Sequence, residues 1–417
     1  MNIIIVGGGI IGLSSAYYLQ QSGHTVTVID KTDMRNNCSY GNAGYVCPSH
    51  FIPLATPGIV KQGLKWMFNA TSPFYVKPRL DINLINWGLK FMKSATPEKV
   101  EAAAIPLRDI ALLSKHLYEE WVKQPQFAFA YEQKGLLEIF QTENNREHAK
   151  HTIAKAHALG LKDTVLLNYN ELQALEPQTK INGLGAIHFK CDAHLYPNKL
   201  MQQLIAHLKN VGVTIINNEE VINFETNTKN ITSVITNQNK YVADAVVIAT
   251  GSWSRELAAK LNIKIPLMPG RGYSVTVEDE KYKLNYPAVL LEGRAAVTPM
   301  DGNKTRFGGT MEITPTNTPP KLNRVHGLLN AVKRFYPEFD VPFPTEDKIW
   351  YGYRPCSADG LPYIGKTNKW NNVTIATGHS MLGLSLGAGT GKLVEEIVNE
   401  KIASINMQPY TVERFGS

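Results

Sequence analysis

The chain opens with a short apolar run, Met1–Val6, of the length a buried strand takes. From Ile10 the apolar positions change to helical spacing, and Ser22-Gly23 ends that pattern. His24–Asp30 alternates as a second strand. Further on, helical patterns cover Gly63–Phe68, Leu84–Phe91, and Glu98–Val122 after Thr96-Pro97. Trp66, Phe68, Trp87 and Phe91 in these patterns are expected in the core, although a membrane-facing surface is the other reading. Gly135–Gln141 and Gly185–Lys190 read as strands, with a short helix at Asn170–Leu175 between them. Tyr196-Pro197 opens a helix over Asn198–Asn210, and Val213–Asn217 is a strand. Val221–Glu225, Ile231–Thr236 and Tyr241–Val242 form a small meander. Ala245–Gly251 is a buried strand ending in a glycine turn, before a helix at Ser254–Leu261.

Residues 262–345 alternate and are rich in turns: Ser274–Val277, Ala288–Leu291, Ala295–Thr298 and Arg306–Gly309 predict an antiparallel sheet. Leu322–Phe335 is a helix and Ile349–Arg354 a strand. The chain closes on a strand (Val373–Thr377), a glycine-rich loop (Gly378–Gly391) and a helix (Lys392–Glu400). The fold class is α/β with a second, antiparallel-sheet α+β part. The chain leaves the first domain and returns: 1–75, 196–261 and 346–417 belong to it, and 76–195 with 262–345 form the second.

The opening has the form strand, Gly7-x-Gly9-x-x-Gly12, helix, strand, acid, which is a dinucleotide-binding fingerprint in its confirming context. Gly7 makes the tight turn, Gly9 lets backbone approach a diphosphate, and Gly12 lets the helix lie on the strand. The helix start offers free N–H groups and partial positive charge to phosphate. Asp30 stands where a ribose hydroxyl is bound. Cofactor contacts are therefore expected at Gly7, Gly9, Ile10, Ile11, Gly12, Asp30 and Lys31. They are also expected in the loop of small residues Ser39, Asn42, Ala43 and Gly44, at Val221, and at Ala249, Thr250 and Gly251.

Length changes this picture little: 417 residues suggest two domains, and 43% hydrophobic with 19% charged residues fits a folded globular protein. The net charge of +7 comes from scattered Lys and Arg with no nucleic-acid module. It leaves contact with an anionic membrane surface open. Cys38, Cys47, Cys191 and Cys356 form neither a CxxC nor a regular framework, so a reduced, cytoplasmic setting is expected and no metal centre. The apolar start lacks a basic leader and is broken by Ser14, Ser15, Tyr17, Gln20 and Gln21, which argues against a signal peptide.

Several motifs together resemble the FAD-dependent D-amino-acid oxidase superfamily, and within it the D-amino-acid dehydrogenase small-subunit family. They are Ser39-Tyr40-Gly41-Asn42-Ala43-Gly44, Lys77-Pro78-Arg79-Leu80-Asp81, Gly272-Tyr273-Ser274 and Gly308-Gly309-Thr310-Met311-Glu312. Further along come Gly352-Tyr353-Arg354-Pro355 with Asp359-Gly360-Leu361-Pro362-Tyr363-Ile364-Gly365, and Ala376-Thr377-Gly378-His379. The resemblance implies FAD, a Rossmann-like domain and a substrate domain on an antiparallel sheet. It implies oxidation of a D-amino acid at its α-carbon by hydride transfer to flavin N5. The imino acid then hydrolyses to a 2-oxo acid and ammonia, and electrons pass to a respiratory acceptor, with a peripheral place on the inner face of the cytoplasmic membrane left open. D-proline or cis-4-hydroxy-D-proline dehydrogenase, an oxygen-using glycine or sarcosine oxidase, and an electron-relay subunit are the competing readings.

By this resemblance Arg354 is the carboxylate clamp, since a guanidinium grips a carboxylate with geometry as well as charge. Relatives such as glycine oxidase carry another arginine where this chain has Met381, which argues against a very small, doubly clamped substrate. Gly378, Leu382, Gly383, Leu384 and Ser385 are expected at the flavin's pyrimidine end, where N–H groups stabilise charge developing on reduction. His379 is a structural contact to the flavin in preference to a base. Tyr273 is a pocket hydrogen-bond candidate, and Arg271, Asp192 and His194 are weaker ones. Sarcosine-oxidase-like relatives attach FAD through a cysteine where this chain has Gly352, so the FAD is expected to be non-covalent.

Overall fold

The computed structural model describes residues 1–58 and 74–416. A six-stranded sheet has Asn2–Val6 near its centre, hydrogen-bonded in parallel to Thr25–Ile29 on one side and to Ala245–Ile248 on the other. Thr214–Ile216 extends it beyond Thr25–Ile29, and Val373–Thr377 then Tyr363–Lys366 extend it beyond Ala245–Ile248. Only the Tyr363–Lys366 edge is antiparallel. Both faces are covered, so the central strands are almost continuously apolar. One face is packed by helices Ile10–Gln21 and Gly387–Val398, the other by the three-stranded meander Val221–Asn227, Asn230–Thr236 and Lys240–Val242.

A nine-stranded, mostly antiparallel sheet forms the second layer. Leu267–Glu278 runs between Ile349–Ser357 and Lys304–Ile313, and the order continues through Ala295–Pro299, Ala288–Leu290, Leu136–Phe140, Gly185–Phe189 and Thr164–Asn168. Helix Asn323–Phe335 covers it with Val325, Leu328, Val332 and Phe335. The strand Ile349–Ser357, grouped by sequence with the first domain, pairs along its length with Leu267–Val275 in this second sheet. It is the crossing point between the two layers.

Among the described residues, periodicity missed helix Glu143–Ala158 and strands Tyr45–Val46, Phe74–Val76, Thr164–Asn168, Ala193–His194 and Tyr363–Lys366. The helix buries only Ala149, Thr152 and Ala156, so it has no stripe of large apolar residues to read. The expected pattern at Gly63–Phe68, with Trp66 and Phe68, lies outside the described residues. Trp87 and Phe91 are buried, as expected, on helix Ile82–Ser94.

The last helix departs from expectation. It begins at Gly387, so most of the loop expected at Gly378–Gly391 is its entry and first turn. Glycine is present there for closeness rather than for turning. A Cβ on Gly387 would lie 2.6 Å from Ile10 Cγ1, one on Gly389 3.0 Å from Ser114 Cβ, and one on Gly391 2.5 Å from the Ser14 carbonyl carbon. Gly387 matches Ile10 and Gly391 matches Ser14, four residues on in each helix, so the two helices run parallel in backbone contact.

Gly391→Val inserts a branched side chain against the Ser14 backbone. It is expected to cost about 1–3 kcal/mol, the usual range for overpacking, read as a lower thermal midpoint.

Candidate active site

One cavity of about 1370 Å³ runs from the fingerprint turn to Arg354. At its first end Gly7 has φ +110, and a Cβ there would lie 2.5 Å from the Ala249 carbonyl oxygen. A Cβ on Gly12 would run into the Gly7 carbonyl, whereas one on Gly9 would meet only Ser39 Oγ at 3.6 Å. Gly9 caps the helix without a side-chain bond, and the Ile10 N–H donates to Ser39 Oγ at 3.0 Å. A helix start facing a cavity through bare backbone is an anion cradle. Asp30 Oδ2 accepts the Gly8 N–H at 2.7 Å, and Oδ1 accepts the Thr32 N–H and hydroxyl. The acid therefore builds the turn while lining the cavity. Lys31 lies over the Trp253 ring at 4.2 Å, beside Thr250 and Gly251.

The second set of bare amides lies at the start of Gly387–Val398. Gly383, Leu384 and Ser385 line the cavity, and their N–H groups have no acceptor among the described residues. Ser385 Oγ accepts the Cys47 N–H at 2.9 Å, and Tyr118 Oη donates to the Leu384 carbonyl at 2.7 Å, fixing this loop. His379 is buried, with Nε2 2.9 Å from Thr390 Oγ1. Burial lowers its pKa to about 3, so it is a neutral ring at working pH. The Ser380 N–H donates to the Pro355 carbonyl, which clips this loop to the arginine strand.

Arg354 projects from Ile349–Ser357 across Gly272 of the neighbouring strand, where any Cβ would collide with the guanidinium. Nη1 donates to the Thr310 carbonyl and reaches Met311 Sδ at 3.8 Å. No carboxylate pairs with it among the described residues, and burial lowers its pKa. Thr310 holds φ +61, a strained value for a β-branched residue.

Of the sequence candidates, Gly12, Gly44 and Gly378 stand behind the wall rather than on it. Gly44 and Gly378 both have positive φ, +81 and +83, and so shape its loops. Ile10, Ile11, Ser39, Asn42, Ala43, Val221, Ala249 and Leu382 are on the wall. Tyr273 also lines it, but its hydroxyl donates to Glu312 Oε2 at 2.8 Å and accepts the Lys321 N–H at 2.7 Å. Arg271 is wholly buried and pairs with the same carboxylate at 2.8 Å, which Arg324 also meets at 2.6 Å. Asp192 is buried against Ser49, whose N–H and hydroxyl take its two oxygens. His194 is buried in a bridge to Glu132.

Arg306 was not anticipated. It is buried and donates to the carbonyls of Tyr40 and Asn42, both at 2.7 Å, to Asn198 Oδ1 and to Thr276 Oγ1. It ties the Ser39–Gly44 loop to the nine-stranded sheet with neutral acceptors alone, and burial lowers its pKa to about 10. Its place in an Arg-Phe-Gly-Gly-Thr run was readable, but the loop it holds was not.

A model of the FAD-dependent oxidoreductase (DAO) family matches residues 2–397. The chain is 31% identical over 409 residues to a D-amino acid dehydrogenase of Helicobacter pylori, covering 97% of each chain. It is 29% identical to a D-amino acid dehydrogenase of Granulibacter bethesdensis over the full length of both. Among solved structures it resembles glycine oxidase from Geobacillus kaustophilus, with a TM-score of 0.77 at 22% identity over 99% of this chain and 98% of that one. L-proline dehydrogenase from P. horikoshii gives 0.76 at 20% identity over 99% and 97%.

Glu312→Gln leaves two buried guanidinium groups without their shared anion. It is expected to destabilise the protein by roughly 3–5 kcal/mol, measured by thermal or urea unfolding.

Proposed function

Because the chain belongs to the family of FAD-dependent oxidoreductases, we propose that it oxidises D-amino acids at the α-carbon, with Arg354 gripping the substrate carboxylate. The observation that carries this reading is a half-buried guanidinium on the cavity wall with a carbonyl and a thioether for company and, among the described residues, no carboxylate. A cation so placed is costly unless an anion joins it. The residues present fit FAD: Gly9 opens onto the cavity where a Cβ would meet nothing closer than 3.6 Å, and the amides of residues 383–385 await acceptors.

Bound FAD supplies a two-electron acceptor. The chain's own residues then bind and orient. The fingerprint amides hold the diphosphate, with Asp30 toward the ribose, and the 383–385 amides face the pyrimidine end. We assign the cofactor to the six-stranded layer and the substrate to the nine-stranded one, which meet at the arginine strand. Arg354 sets the direction from which the α-carbon approaches. Neither His379 nor Tyr273 is suited to taking the amine proton: His379 has its pKa lowered to about 3, and burial raises Tyr273 well above the usual phenol range. The substrate therefore enters as the neutral amine after losing its proton to solvent. Cys356 is buried off the cavity wall, and Gly352 stands where an attaching cysteine would be, which supports non-covalent FAD.

A D-proline or cis-4-hydroxy-D-proline substrate is the second reading. It is favoured by Met381 on the cavity wall, where a second guanidinium would crowd a ring. We place the electron acceptor in the respiratory chain, with the protein peripheral on the inner face of the cytoplasmic membrane. Among the described residues no helix is long and apolar enough to cross a membrane.

The test is an anaerobic titration of the yellow holoprotein with D-alanine, D-proline, cis-4-hydroxy-D-proline, glycine and sarcosine. Bleaching by a D-amino acid and not by its L-enantiomer is the expected result, and slow recolouring in air distinguishes a dehydrogenase from an oxidase. Flavin that no D-amino acid bleaches would refute the substrate assignment. Arg354→Ala is expected to keep the flavin spectrum and lose roughly 100-fold in kcat/KM, or about 3 kcal/mol for a charged hydrogen-bonded pair. The rate of flavin reduction is expected to rise with pH along the amine titration, with no inflection between pH 5 and 8. His379→Asn leaves that profile unchanged, because the wild-type ring stays neutral throughout the range.

A further inference from the structure

Helix Ile82–Ser94 has two unlike faces. Trp87 and Phe91 are buried with their rings stacked at 4.9 Å, and Trp87 Nε1 donates to the Cys356 carbonyl at 3.0 Å. The opposite face carries Ile82 (66% exposed), Ile85 (49%), Leu89 (48%) and Met92 (48%), with Leu80 fully exposed just ahead of it. Their spacing of three, four and three residues sets them in one stripe. Scattered exposed apolar residues are ordinary, but a continuous stripe of this kind marks an interaction surface.

The charge beside the stripe identifies what covers it. No acid occurs between Ile82 and Ser94, and the charged residues of the helix are Lys90 and Lys93. The one neighbouring acid, Asp81, caps the helix through the Asn83 N–H and is paired with Arg79 at 3.1 Å. Lys90 turns to the Phe415 carbonyl at 3.3 Å, while Lys93 stands exposed beside the stripe. An apolar face with a lysine at its side and no acid on the helix suits the boundary of an anionic bilayer, where the apolar groups enter the acyl region and the ammonium remains among phosphates.

We propose that helix Ile82–Ser94 docks this protein on the surface of an anionic phospholipid bilayer. The inference rests on the peripheral membrane placement in the proposed function and names the surface that makes it. The helix's buried side is hydrogen-bonded to Cys356, two residues from Arg354. Docking therefore holds the protein through an element that backs the arginine strand.

The experiment is co-sedimentation of the full-length, FAD-loaded protein with phosphatidylcholine vesicles, with and without phosphatidylglycerol. Wild type is expected to bind the anionic vesicles and to be released by high salt. Ile85→Asp with Leu89→Asp is expected to lower the partition coefficient at least tenfold, and Lys93→Gln about fivefold. These residues lie outside the cavity, so anaerobic bleaching by substrate is expected to be unchanged. Wild type that ignores anionic vesicles, or a double variant that binds as well as wild type, overturns the proposal. So does a wild-type dimer that the double variant splits, since a second copy would then cover the face. Vesicle binding with no bleaching by D-amino acids would leave the docking surface in place and remove only the substrate assignment.

Discussion

Everything at the cofactor end depends on two parallel helices lying in backbone contact. Helix Ile10–Gln21 follows the first strand, and helix Gly387–Val398 follows the strand two places away in the same sheet. Gly387 and Gly391 remove the side chains that would hold them apart. Both helices therefore present their unpaired starts to one cavity, from chain segments nearly four hundred residues apart. A bulkier residue at either position separates the two cradles and disturbs both.

Four arginines of the nine-stranded layer, three buried and Arg354 half-buried, show how the fold separates structure from recognition. Arg271 and Arg324 share Glu312, so their charge is cancelled within the protein. Arg306 meets only neutral oxygens, but it has four of them and fastens a cofactor loop. Arg354 has one carbonyl and a sulfur. Desolvation presses on all of these groups, and only at Arg354 is the compensation left for something that enters the cavity. The same comparison sets Tyr273 apart: it lines the cavity, but its hydroxyl belongs to the Glu312 cluster.

The opening βαβ unit was readable because its signals are local: glycine spacing, an apolar run, a helix end and a terminal acid within thirty residues. The parallel core strands were readable for a related reason, since burial on both faces leaves a continuous apolar word such as Ala245–Ile248. Helix Glu143–Ala158 was not, because it buries little. Strand Leu267–Glu278 appeared short because Gly270 and Gly272 resemble breaks; in the sheet they leave room for Cys356 and for Arg354. The start of the last helix was misplaced for the same reason.

The sequence by itself determined the opening βαβ unit, the two layers and the family, because each rests on residues close together in the chain or on motifs that carry their own context. Tertiary structure alone decided which arginines share an anion, which amides meet no acceptor among the described residues, and which face of helix Ile82–Ser94 is exposed. Those are questions of which groups share a partner across distant segments. Desolvation and pairing are properties of the assembled neighbourhood, and no stretch of sequence contains its neighbours.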